Sequence, residues 1–495
     1  MNAPAIVVRS ARPVPIRWVS RAAAWGRTPL GPGTALTRTE RLALLAAFLL
    51  LVVLRLPQAW LQGRFVDEEG TIFFAYAWHR PAVDALFRSF GGYLNLGANA
   101  TTLLAVRLVR AGLLPLQLAP YLTMAMALAV QMLPALLLVT GRARWLTRRW
   151  AVAASLLILS TAPMTEEVFV NVLHIQFHLA LCAALILALA VPRGAGARAG
   201  YAALLFLAPL CGPGAVIVLP LFALRSLVDR DPARIAQTAV FAAGTAIQLL
   251  LFFHPSPVRG DLVDPASLAA ILFVRLLALP LFTSFAANGI GRGIHISQVA
   301  GGVGWWWLAA AGGAAYLGGL LWLALRRRED AAVWLILPAL AIGAVSFSGG
   351  MIVADPREWF SVGAGERYNF LPLVLLSWGV VALAARPAGR YRGPILGLVA
   401  LTLLSGAITY PTPLRELSQG PSWAREVAAW RGNHDRPLAT WPGNWWVDLS
   451  DRNRPCPPPL LDPAAAAGTG DPSYCEGAWL ARVAGAVAAR RRTRD

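Results

Sequence analysis

Charge is scarce in this chain of 495 residues, so the places where carboxylates gather carry information. Asp67-Glu68-Glu69 stand together shortly after an apolar run and lead into Thr71-Ile72-Phe73-Phe74-Ala75-Tyr76-Ala77-Trp78, a stretch expected to lie as a helix at a membrane interface. A carboxylate pinned at such a surface is a natural general base for an acceptor hydroxyl; the plainer reading is that the triplet marks a water-facing loop. Asp67, Glu68 and Glu69 are thus the catalytic candidates. A second pair, Glu166-Glu167, is followed by Asn171, His174 and His178. Steps of four, three and four from Glu167 predict one helical face for these residues. Two histidines at i and i+4 beside a carboxylate can hold a divalent metal, so Glu167, His174 and His178 are candidate ligands. The alternative is a polar stripe lining a wet cavity, which is costly inside a membrane unless it faces a site. Arginines form the third group: Arg259, Arg275, Arg292, Arg357 and Arg367. Guanidinium groups suit bidentate capture of phosphate. Arg367, next to Tyr368, opens an apolar run at expected head-group depth, where simple anchoring is the alternative; Arg275 interrupts an apolar segment and asks for a reason.

The elements that must position these groups are membrane helices. The composition is 57% hydrophobic and 14% charged, with a mean hydropathy of +0.57, whereas soluble domains are about a quarter charged. Several apolar runs approach the roughly 20 residues a hydrocarbon core demands. The expected fold is an all-α polytopic transmembrane bundle. The net charge of +19 comes from arginines clustered between apolar runs. That is the pattern that orients membrane proteins rather than a nucleic-acid-binding face, so the bilayer is an expected partner and nucleic acid is not.

Alternating the runs under that charge rule gives about eleven crossings. They are 42–56, 116–140, 151–163, 173–191, a hairpin within 201–226, then 235–253, 305–325, 331–347, 368–385 and 394–410. The hairpin is expected because Cys211-Gly212-Pro213-Gly214 interrupts the run, a break tolerated where backbone is buried in protein or lines a cavity. Segment 268–285 is read as re-entrant or interfacial, which returns Arg326, Arg327 and Arg328 to the cytoplasm. Residues 1–41 form a basic cytoplasmic segment carrying Arg9, Arg12, Arg17, Arg21 and Arg27, too far from the first run for a compact signal peptide, so that run is expected to be a retained anchor. The membrane domain covers 42–410 with a first external loop at 58–115, and 411–495 is an external tail or small cap. Cys182 and Cys211 fall within spans as inert apolar residues. Cys456 and Cys475 fall in the tail, where a disulfide can persist.

The opening of the membrane domain resembles that of the GT-C superfamily of glycosyltransferases, which includes protein O-mannosyltransferases and lipid A aminoarabinose transferases. The residues that carry the likeness are Leu54-Arg55-Leu56-Pro57, then Arg64-Phe65-Val66-Asp67-Glu68-Glu69 and the aromatic stretch after them. The layout is also similar to bacterial membrane proteins of that superfamily in three later motifs: Gly92-Tyr93-Leu94, Asn171 to His174, and Arg367-Tyr368. Two departures stand out. The acidic motif is Asp-Glu-Glu rather than Asp-Glu, which leaves Glu68 or Glu69 as alternative working groups, and the tail after Tyr410 matches none of the pattern.

The resemblance implies a polyprenyl-phosphate-linked sugar donor, inverting transfer, and Asp67 as base with Glu68 as its neighbour. The acceptor would be an envelope glycan, a lipid or a protein outside the cytoplasmic membrane. Arg367 and Arg275 would stabilise the departing phosphate, while Glu166, Glu167 and His174 orient sugar hydroxyls or hold a divalent metal. Two rivals belong to other classes. An envelope polysaccharide polymerase or ligase would depend on Arg357 or His295 in a late loop rather than on Asp67. A transporter or flippase would show internal repeats and charges at the bilayer midplane.

Overall fold

The computed structural model describes residues 35–254, 263–301, 304–327, 330–351, 355, 357–386, 389, 391–443 and 445–450. The arginines of the first 34 residues, Arg259, Arg328, Cys456 and Cys475 lie outside the described residues.

Helices dominate, and among the described residues six are long and apolar enough to cross a membrane: Leu116–Thr140, Pro232–Phe252, Trp306–Arg327, Asp330–Gly350, Arg367–Ala384 and Arg392–Thr409. Arg149–Thr161, Ile175–Ala188, Ala195–Cys211 and Pro265–Leu281 are apolar but shorter. The first helix, Arg38–Arg55, starts at a reciprocal cap: Thr37 N–H donates to Glu40 (2.7 Å) and Glu40 N–H donates to the Thr37 hydroxyl (3.2 Å). Ile175–Ala188 and Arg367–Ala384 are apolar on every side and occupy the centre, as helices without a polar face must.

Arginines collect at one end of the bundle. Arg225 bridges Asp229 (3.0 Å) and Asp330 (2.8 Å), and Arg234 donates to the Leu189 carbonyl (2.6 Å). Ala190 N–H donates to the Arg142 carbonyl (2.9 Å), which fixes the ends of two helices at one level. Arg149 meets Glu40 of the helix Arg38–Arg55 (3.2 Å). The acidic motifs lie at the opposite end.

The 201–226 run is two helices, not one. Leu219–Asp229 folds back along Pro232–Ile247, with Phe222 against Phe241 (5.0 Å) and Ser226 against Thr238 (2.7 Å). The turn needs Gly212, because a Cβ there would stand 1.9 Å from the Gln176 amide oxygen. Pro265–Leu281 lies across the bundle. Along its length it meets Gly313 through Ala269, Gly343 through Leu272 and Leu276, Asn369 through Arg275 (2.9 Å) and Ser405 through the Leu279 carbonyl (3.1 Å).

The loop 58–115 and the tail fold together into a cap with its own core. Phe65, Phe74, Ala105, Val106, Trp423, Val427, Leu438 and Val447 are buried in it. Phe65 meets the edge of Trp423 (5.0 Å), and Trp423 donates to the Leu116 carbonyl (2.9 Å). The tail contributes the antiparallel pair Leu438–Thr440 and Trp445–Val447, and Trp441 bridges in parallel to Val66. This corrects the expectation for the aromatic stretch after Glu69. It does form helical turns, Glu69–Phe74 and Ala75–His79, but Ile72, Phe73 and Phe74 are buried inside protein rather than laid on lipid. The tail supplies the cover that the stretch lacks by itself.

Candidate functional site

Three loops meet at the acidic end of the bundle. The first carries Arg64 to Glu69. Asp67 takes a left-handed backbone conformation (φ 45), and its N–H donates to the Trp441 carbonyl (2.8 Å). Glu69 points inward and is fully buried, accepting from the N–H groups of Val66 (3.2 Å) and Val172 (3.4 Å). Asp67 and Glu68 keep part of their surface open. The triplet therefore splits into two open carboxylates and one that braces the second loop.

The second loop runs from Thr161 to Ile175. The predicted single helical face through Glu167, Asn171, His174 and His178 is not what forms. A short turn, Glu166–Val168, is followed by extended and left-handed backbone (Val170 φ 57), and the helix begins only at Ile175. A β-branched residue at positive φ is strained, a cost of about 1–3 kcal/mol. Asn171 holds the turn: its amide donates to the carbonyls of Glu167 (2.8 Å) and Phe169 (3.1 Å) and accepts from His174 N–H (3.0 Å). The loop still brings Glu167 and His174 together at 3.6 Å, by a turn rather than by helical spacing. His178 lies one helical turn deeper, buried between the rings of Phe169 (5.6 Å) and Phe370 (4.8 Å). Among the described residues no three His, Cys, Asp or Glu side chains are grouped to hold a metal ion, so Glu167, His174 and His178 do not make a ligand set.

Glu166 and Glu167 have different tasks. Glu166 is buried against Arg55 (2.9 Å), whose guanidinium also donates to the Ala162 carbonyl (2.7 Å) and to the Ser160 carbonyl, and covers the Phe169 ring (4.5 Å). This pair stitches the second loop to the first helix. Glu167 instead is partly open and forms a close ion pair with Arg367 of the third loop, whose N–H also reaches it (3.3 Å). Tyr368 lies beside Arg367 (5.4 Å to the ring) and meets Phe177 (6.3 Å).

Arg275 has been given other work than holding a substrate phosphate. It is fully buried, and it donates to the carbonyls of Trp359 (2.9 Å), Glu358 (3.1 Å), Ser361 (2.7 Å) and Ala364 (3.0 Å) and to the Asn369 side chain (2.9 Å). It shapes the loop that delivers Arg367. Arg292 is exposed on Ser284–Val299, and Arg357 is bound to Asp355 (2.8 Å). Neither is drawn into the Glu167 pair.

The electrostatics follow from this arrangement. Burial holds Asp67 well above the usual carboxylate range, reinforced by Glu68 and Glu167 and opposed by Arg367 and Arg64. Those causes also place Asp67 within electrostatic reach of the Glu167–Arg367 pair. Burial would likewise raise Glu167, but the Arg367 guanidinium outweighs it and holds the carboxyl below its ordinary value. His174 is pushed down to about 4 by burial, against the pull of Glu167, so it is neutral at physiological pH. Glu69 is raised to about 7 by burial. Glu366, which the sequence reading passed over, is raised well above the usual range by burial and by Glu166 and Glu167. The site thus holds a half-buried Asp67, a buried neutral imidazole and one carboxylate–guanidinium pair, set on a buried frame of Arg55, Arg64, Glu69, Glu166, Asn171 and Arg275.

No protein-family model matches the chain, and neither the curated proteins nor the solved structures give a significant match.

Proposed function

We propose that the chain is a membrane-embedded inverting glycosyltransferase that moves a sugar from a polyprenyl-phosphate donor to an envelope glycan, lipid or protein acceptor. The observation that carries this reading is the contact of Glu167 with both His174 and Arg367, with Asp67 close enough to feel the charges of Glu167 and Arg367, at the end of the bundle opposite the arginine-rich end. With the arginine-rich end cytoplasmic, the site faces outward. Six described helices are long and apolar enough to cross a membrane; the reading of about eleven crossings adds shorter helices, among them both halves of the 201–226 hairpin, and leaves out Pro265–Leu281.

In this reading Asp67 takes the proton of an acceptor hydroxyl, whose oxygen attacks the anomeric carbon from the face opposite the phosphate. The bond between that carbon and the phosphate oxygen breaks, and polyprenyl phosphate leaves with the electron pair. A carboxylate with a raised pKa is the stronger base once ionised. Arg367, one-third exposed at its side chain, faces the leaving phosphate, and Glu167 holds it in place. Glu68 would bind sugar hydroxyls, with buried, neutral His174 backing Glu167. The carboxylates cluster at helix ends rather than within the long helices, which favours this reading over a transporter.

The test is transfer from synthetic polyprenyl-phosphate sugars by the purified full-length protein and its Asp67→Asn variant. A loss of about 10²–10⁴-fold is expected for removal of a general base. Undiminished turnover by the variant removes Asp67 from the chemistry, and retention there with loss in Arg357→Gln favours the polymerase or ligase reading.

A further inference from the structure

The tail after Tyr410 and Arg64 have so far been described only as packing, yet both end on the backbone and charge of Asp67. Arg64 is buried, and its guanidinium donates to the Leu417 carbonyl of the tail (2.6 Å) and the Phe169 carbonyl of the second loop (3.0 Å). It also faces the Trp441 ring (5.6 Å). Trp441 accepts from Asp67 N–H (2.8 Å), donates its own N–H to the Phe65 carbonyl (3.1 Å), and anchors its indole on the Pro421 carbonyl (2.8 Å). Two tail carbonyls therefore grip Arg64 and Asp67, three residues apart, from one side. The left-handed backbone of Asp67 does not hold itself, since a non-glycine residue leaves that conformation when its surroundings relax.

We propose that the 411–450 segment is an activating strap. Through the Leu417 and Trp441 carbonyls it fixes Arg64 and Asp67 as a positioned pair, with Arg64 the positioning residue. The inference deepens the glycosyltransferase reading in naming Asp67 as the working group, but the geometry it invokes stands apart from any substrate. The charged groups facing Asp67 are Arg64, Glu68, Glu167 and Arg367. Of these, Arg64 alone is gripped by the tail.

A substrate-free measurement separates the two claims. In full-length protein in lipid nanodiscs, labelling of Asp67 by dicyclohexylcarbodiimide, read by peptide mass spectrometry across pH, reports the protonated carboxyl. Arg64→Gln removes a facing cation and should move the labelling midpoint up. Trp441→Ala opens the strap to water, weakens the burial of Asp67, and should move the midpoint down. Arg64→Lys keeps the cation and should stay near the wild-type midpoint. Opposite shifts from two neighbouring packing residues are not expected of a merely structural role. Should Arg64→Gln fail to fold, Trp441→Phe, which keeps the bulk but loses the bond to Pro421, should shift the midpoint in the same direction as Trp441→Ala, by less. Midpoints that stay at the wild-type value in the folded variants overturn the strap. If the midpoints move as stated while Asp67→Asn still transfers sugar, the strap stands and the transfer reading falls; if that variant is dead and the midpoints do not move, the reverse holds.

Discussion

Replacing Glu69 by Gln tests whether the acidic triplet is divided between open and buried roles. Glu69 is fully buried, and burial raises its carboxyl from 4.5 to about 7. Below about pH 4 it is protonated in both the folded and the unfolded chain. As pH rises from there to about 7 the unfolded chain releases the proton first, so the folded state binds more protons and loses stability with increasing pH. A gap of about 2.5 pH units, at about 1.4 kcal/mol each, amounts to on the order of 3 kcal/mol, fully present above about pH 7. Glu69→Gln cannot ionise and lacks this loss, so the stability of wild type minus variant should fall by about that much between about pH 4 and pH 8. Asp67 and Glu366 are also raised, but they titrate in both proteins and cancel in the difference. The assay is unfolding in mixed detergent micelles, followed by the fluorescence of the cap tryptophans Trp423 and Trp441. A difference that is flat across that range, or that grows with pH, refutes the placement of Glu69 in a dry bracing position.

Other substitutions probe the frame. Gly70→Ala would put a Cβ 2.9 Å from both Phe65 and Val447, so it should destabilise the cap by about 1–3 kcal/mol and lower its fluorescence midpoint; an unchanged midpoint means the tail does not seat there. Arg275→Met strips the donor from four loop carbonyls. Hydrogen exchange across residues 357–366 should then rise by about tenfold or more, as for an opening made easier by at least 1.4 kcal/mol, and unaltered exchange argues against the brace.

Much of the architecture could be read from composition and charge because both act over long stretches. Apolar runs, the Gly212-Pro213-Gly214 break and the arginine clusters each map onto a helix, a reversal or an end of the bundle. The candidate site was legible in residue identity but not in role. Glu167 and His174 do come together, yet helical spacing was the wrong reason, since Asn171 builds a turn from side-chain hydrogen bonds that no periodicity announces. Arg275 was a justified suspect as a buried charge, but its partners are backbone carbonyls, and carbonyls leave no trace in a residue pattern. Arg55 offered a signal that could have been used: a lone arginine closing an apolar run needs a carboxylate, and Glu166 is it. The Trp441 contact to Asp67 joins residues far apart through main-chain atoms, which places it beyond any local reading.

The brevity of two helices decides how deep the loop that carries Glu167 and His174 lies. Arg149–Thr161 has 13 residues and Ile175–Ala188 has 14, about 20 Å each at the usual rise, against about 37 Å for the 25 residues of Leu116–Thr140. The long helix and Ile175–Ala188 finish level, at the contact between Arg142 and Ala190, so the whole shortfall falls at the other end. The floor bearing Glu167 and His174 is thereby sunk about 10 Å or more below the rim, within the depth of a hydrocarbon layer about 30 Å thick. Under the proposed sugar transfer, the donor's polar headgroup would have to descend to that level, while its hydrocarbon chain would stay in the lipid.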